Sequence, residues 1–261
     1  MSRLALIALL ACATDAWAVE WDVYKSKHFV IQHRASERLA AEVARRAEGY
    51  YDTILQDLGY RRSGNFWLWD NRVTITLYPS RRAFTDGTQS PEWAAGKASL
   101  HNREISSYAT STEFLGVLLP HELTHFVFVD FIGFESEAPL WLHEGVAQWE
   151  EEGSRLGLRA QVRLSVAAGR FIPLRTLMAL DVRNVDSRGV ATMFYAQSAS
   201  LVGYLIEQHG SRRFGKFLRQ IRDGKGFEEA LGFTYSSRFR TIEKLEERWR
   251  RHAEDKVANG N

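Results

Sequence analysis

The chain has 261 residues, 45% apolar and 25% charged, with a net charge of +2: enough for a substantial core, and too evenly charged for a protein built around nucleic acid. Arginine pairs at 45–46, 61–62, 81–82 and 212–213 are scattered among acidic residues instead of forming a stripe, so they read as solvated surface and no nucleic-acid partner is expected. The single cysteine, Cys12, excludes a disulfide framework.

In chain order, MSRLALIALLACATDAWA places Arg3 before an apolar run from Leu4 to Ala13 and ends in Ala16-Trp17-Ala18, the pattern of a signal-peptidase site. Residues 1–18 are therefore expected to be a signal peptide, and 19–261 a periplasmic or secreted mature chain of unchanged net charge, since Arg3 and Asp15 are lost together. The apolar run is far shorter than the ~20 residues that span a bilayer. No later stretch reads as long and apolar enough either, so no transmembrane helix is expected in the mature chain. A second reading takes LLAC as a lipobox with lipid attached to Cys12, which would make the leader unusually short.

WDVYKSKHFVIQH, residues 21–33, alternates in polarity and is rich in aromatic and β-branched residues, which predicts a strand or hairpin. Helical spacing follows from Ser36 to Leu58, through Leu39, Val43, Ala47, Tyr50 and Ile54. RVTITLY, 72–78, is the clearest strand, and GKASLHNREISSYAT holds two short extended pieces around His101-Asn102. Thr110 and Glu113 fit a T-x-x-E capping box, which predicts the start of a helix there. Pro120 falls inside that helix and would clash with the carbonyl of Gly116, so the sequence predicts either a kink or a fresh start at Pro120. Beyond Pro173 the chain reads as helical, with segments near 190–209, 211–223 and 239–254.

LLPHELTHFVFV, 118–129, carries the chemistry. His121 and His125 lie one turn apart on one helix face, where two imidazoles reach a single ion. Glu122, one step round the helix, can hold an attacking water without being a ligand. The bland alternative is a core helix with satisfied histidines, but an ionised glutamate on an apolar face is costly unless paired or near a metal. A catalytic zinc takes three protein ligands. After 18 intervening residues, PLWLHEGVAQWEE supplies Glu144 on a second apolar helix that starts with Pro139, reached through the turn FIGFESEA. Gly145 suits close approach of the two helices, or simply any helix crossing. Gln148 and Glu151, one and two turns beyond Glu144 on the same face, are placed to orient a ligand imidazole.

HELTH followed at this spacing by W-L-x-E-G resembles the gluzincin zinc peptidases, most closely the small bacterial peptidase MA-like proteins, whose later helix often reads like YAQSASLVGYLIEQHG, residues 195–210. The resemblance is specific over roughly 110–210. It implies an α+β fold with a mixed α/β upper lobe (19–110) carrying a small sheet, an all-helical lower lobe (111–261), and the zinc at their junction. It implies His121, His125 and Glu144 as ligands of one Zn2+, Glu122 as general base, and Tyr195 as the donor to the oxyanion, beside its plain reading as an aromatic packed next to Phe194. It further implies a peptide or protein substrate, paired with the extended segment just before the zinc helix. Two departures stand out: His143 occupies a position that is often Asn in relatives and should point about 100° away from Glu144, and the G-x-M-E-N motif of the large aminopeptidases is missing. The expected activity is peptide-bond hydrolysis by zinc-activated water; the alternatives are an inactive gluzincin-like binding module and a zinc-free structural protein. Nothing in the sequence bears on oligomeric state.

Overall fold

The computed structural model describes residues 20–60, 67–68, 71–133 and 138–255. The expected signal peptide with Cys12, the Arg61-Arg62 pair and residues 134–137 of the FIGFESEA turn lie outside the described residues. Alternating polarity in 21–33 resolves into an antiparallel pair, β1 (Asp22–Lys25) and β2 (Phe29–His33), with Ser26 N donating to Phe29 O at 3.0 Å in the turn. β3 (Val73–Tyr78) and β5 (Glu104–Tyr108) extend the sheet in parallel, and β4 (Gly96–Ser99) adds antiparallel to β5, giving the order β1-β2-β3-β5-β4. The register aligns Ile31, Ile75 and Ile105 across three strands, and all three are fully buried. Paired side chains in register lie on the same face of a sheet, so these three make that face core.

Parallel neighbours need a crossover, and α1 (Glu37–Asp57) supplies it between β2 and β3. Ser36 caps it, its side chain accepting from Leu39 N at 3.3 Å. Val43, Ala47 and Ile54 face inward as the spacing predicts, joined by Ala40, Ala44 and Tyr51, while Leu39 and Tyr50 sit at the margin. After the helix Gly59 adopts φ +61°, and a Cβ there would fall 2.2 Å from Ser211 O, so both conformation and space demand glycine. The short α2 (Arg81–Thr88) buries only Phe84, too little to leave a readable period.

The central helix departs from expectation at its start. No capping box forms at Thr110 and Glu113; residues 110–113 are irregular, a π-helical turn spans Phe114–Leu118, and α3 runs Leu119–Ile132 with Pro120 in its first turn. Proline is tolerated there because first-turn N–H groups lack helical partners anyway. Gly116 O, the acceptor that a residue at 120 would use in a continuous helix, instead takes the Glu152 N–H at 2.8 Å. The π turn and α3 together, Phe114–Ile132, are long and apolar enough by length and composition to cross a membrane, which corrects the reading that no later stretch is. Here the run is core: Leu119, Leu123, Phe126 and Phe128 are at most 2% exposed.

The rest is helical: α4 (Leu140–Glu150), α5 (Ser154–Ala167), α6 (Leu174–Ala179), α7 (Arg188–His209), α8 (Ser211–Arg222), α9 (Phe227–Tyr235) and α10 (Ile242–Asp255). α7 is buried nearly all round between Phe194 and Ile206, and one hydrophobic cluster runs from Phe29 in β2 to Trp249 in α10. The fold is thus mixed α+β, a small five-stranded sheet among mostly helical structure.

Candidate metal centre

α3 and α4 pack side by side, and their facing turns bring three donors together. His121 Nε2 and His125 Nε2 are 3.2 Å apart, and Glu144 Oε2 lies 3.7 Å from the first and 3.9 Å from the second. A tetrahedral ion with bonds of about 2.0–2.2 Å needs donors about 3.3–3.6 Å apart, and each pair in the set lies within about 0.3 Å of that range, a spacing that small side-chain adjustments bring onto one zinc. The depth of α4 is fixed by its contact with α7: of the two readings the sequence left open for Gly145, the structure takes the general helix crossing and not the approach of the two ligand helices. A Cβ on Gly145 would fall 2.8 Å from the Ser198 backbone, and one on Gly203 would fall 2.2 Å from the Trp149 ring. Two glycines, one from each helix, therefore set this crossing.

Burial shapes the electrostatics. It pushes His125 down to about 3, with the charges of His121 and His143 adding to the effect, so this imidazole stays neutral with its lone pair available. Burial also opposes charge on His121, but the hydrogen bond to Glu151 and the charges of Glu122, Glu151 and Glu144 outweigh it and raise that imidazole. Glu122 and Glu144 are both held above the usual carboxylate range, chiefly by burial; Glu144 adds to the first and Glu151 to the second, against His121. A divalent cation among these groups reverses the balance, since it favours both carboxylates and displaces the imidazole proton.

A chain of contacts holds the donors. His121 Nδ1 lies 2.9 Å from Glu151 Oε1, which fixes the ring with Nε2 towards the cluster, and Gln148 Nε2 donates to Glu151 Oε2. Glu151 closes α4 in extended conformation, and the next residue, Glu152, pairs with Arg46 of α1 and ties α4 to the π turn through Gly116 O. Tyr50 Oη donates to Leu115 O at 2.7 Å from the same helix. The irregular entry to α3 is thus fastened from two sides.

His143 stays out of the cluster: its ring packs edge-on against Phe128 at 4.7 Å, and burial lowers it to about 4. Tyr195, on α7, is half-buried beside Phe194, with ring centroids 5.5 Å apart. Burial and then the Glu144 charge raise its phenol, and its hydroxyl makes no hydrogen bond among the described residues. Arg183 escaped the sequence reading; its charge acts on Glu144 from the short 3-10 turn Val182–Asn184, where Asp181 holds it at 2.8 Å. Its neighbourhood to Glu144 arises from packing across nearly forty residues of chain, and nothing in the local sequence signals it.

The family model of the Peptidase MA superfamily matches residues 68–255, most of the chain and all of the cluster. The chain belongs to the Peptidase MA superfamily. No curated protein matches it. Membership makes this a peptidase-like protein, and MA superfamily peptidases are typically zinc-dependent, in keeping with the possible site at His121, His125 and Glu144.

Proposed function

We propose that this Peptidase MA superfamily member is an exported zinc-dependent peptidase in which His121, His125 and Glu144 hold one zinc ion and Glu122 is the general base. The observation that carries the reading is the convergence of three donor atoms at 3.2–3.9 Å with an additional half-buried carboxylate, Glu122, beside them. Zinc in that position supplies Lewis acidity towards a scissile carbonyl and towards water. Glu122 is offset from the ligand face by one residue; its carboxylate takes the proton of the attacking water and returns it to the leaving amine nitrogen. In this reading the Tyr195 hydroxyl donates to the oxyanion that develops on the carbonyl oxygen. Among the described residues β4 has one unpaired side, and an extended substrate adding there would be held by backbone hydrogen bonds. Export rests on the leader pattern of residues 1–18.

Glu122→Gln tests the reading, because the amide keeps size and hydrogen bonding and removes the base. At matched zinc loading, cleavage of a peptide found in a broad library should fall by roughly 10²–10⁴-fold with folding and zinc content retained. The intact mass of the same exported preparation should begin at Val19. Equal cleavage rates would remove Glu122 from the chemistry, absence of cleavage by the parent would favour the binding module, and a diacylated Cys12 would replace free export with a lipid anchor.

A further inference from the structure

Trp149 follows Glu144 by five residues and so points about 140° away from it round α4. On that side a cavity of about 260 Å³ opens between α5, α7 and α10. Its lining is mostly apolar: Leu156, 78% exposed, Ala160, Tyr204 and Ala253 surround the edge of Trp149, whose ring is itself covered by Gly203 and by the guanidiniums of Arg155 and Arg159 at 4.1 and 5.5 Å. Among the described residues its charges do not balance: Arg159 and Arg163, on successive turns of α5, line it with one carboxylate, Glu207, with which Arg159 pairs. Arg163 is half-buried and makes no ion pair or hydrogen bond among the described residues.

An apolar chamber with an unmatched guanidinium at its wall suits a ligand with an apolar body and one anionic end, because guanidinium pairs with carboxylate through two parallel hydrogen bonds. We propose that this cavity is a second binding site, separate from the metal centre, for small amphipathic carboxylates: a ring or short alkyl chain seated among Leu156, Ala160 and Tyr204 with its carboxylate on Arg163. Size limits the body. A cavity of about 150 Å³ takes a benzene ring, so this one takes a ring with a short acid chain. Two sources share the chemistry, a free acid and the C-terminal residue of a peptide.

The test titrates the full zinc-loaded chain with 3-phenylpropionate and with N-acetylphenylalanine, followed by calorimetry, with the corresponding amides as neutral partners. Saturable binding of 3-phenylpropionate is expected with a Kd of roughly 0.1–1 mM, typical of a ligand this small, and its amide should bind at least tenfold more weakly. Arg163→Gln should weaken the acid at least tenfold. Ala160→Trp, which fills the cavity from an exposed position on α5, should abolish binding without loss of helical content. Parallel behaviour of N-acetylphenylalanine assigns the site to peptide C-termini as well; its failure beside a binding 3-phenylpropionate assigns it to free acids. Absence of saturable binding by both acids overturns the proposal. So does binding that Ala160→Trp leaves unchanged, which would put the acid elsewhere, the metal centre included.

Discussion

Glu144 and Glu151 lie two turns apart on one face of α4, and their backbones give them different tasks. Glu144 is within the helix and its oxygen joins the cluster, whereas Glu151 ends the helix in extended conformation and reaches back to His121 Nδ1. A carboxylate on the far nitrogen of a ligand imidazole fixes its tautomer and strengthens the nitrogen that binds metal. Glu151→Gln should therefore keep the fold and weaken zinc affinity about 10–100-fold, measured by competition with a chelator. Unchanged affinity would reduce Glu151 to a packing residue. Glu150, between them in sequence, points elsewhere: burial, with the Asp57 charge added, pushes it up to about 8 against the pull of Arg155. The folded protein thus keeps a proton that the unfolded chain, near the ordinary value of 4.5, releases. That contribution to stability is complete below the unfolded value and is lost as pH rises through the folded one. Glu150→Gln should consequently match the parent at pH 4 and exceed it above pH 8 by on the order of 2–4 kcal/mol, read from urea unfolding. A difference independent of pH would contradict the assignment.

At the scale of elements, the centre depends on two helix contacts of opposite regularity. α3 begins irregularly, with Pro120 in its first turn and the carbonyls of Leu115 and Gly116 taken by Tyr50 and Glu152, so the helix is set from outside at its ligand-bearing end. α4 meets α7 by regular close packing, Gly145 on Ser198 and Trp149 on Gly203. Gly145→Ala places a methyl 2.8 Å from the Ser198 backbone, which cannot give way as a side chain tip can. The variant should lose about 1–3 kcal/mol in urea unfolding, as overpacked cores do, and weaken zinc binding because Glu144 is the preceding residue. A variant equal to the parent in both would show the crossing to be slack.

At the scale of the molecule, the elements with strong local periodicity were legible in advance: the hairpin of β1 and β2, α1, β3, the β4 and β5 pair, and α7 and α8. So was the candidate site as a spacing, since i, i+4 histidines and a glutamate on the next helix are local patterns. What escaped has a common cause, dependence on distant partners. The failed capping box at Thr110 and Glu113 gave way to a π turn held by Tyr50 and Glu152, and which helix Gly145 crosses, α7, was decided by tertiary packing. Arg183 reached Glu144 by the same kind of tertiary contact. The account as a whole rests on one ion at one place, and zinc content tests it most directly. Purified full chain, loaded with zinc and dialysed, should carry one zinc per chain by atomic emission, and the His121→Ala/His125→Ala double variant, folded by circular dichroism, should carry none; a parent without zinc, or a double variant with undiminished zinc, would contradict it.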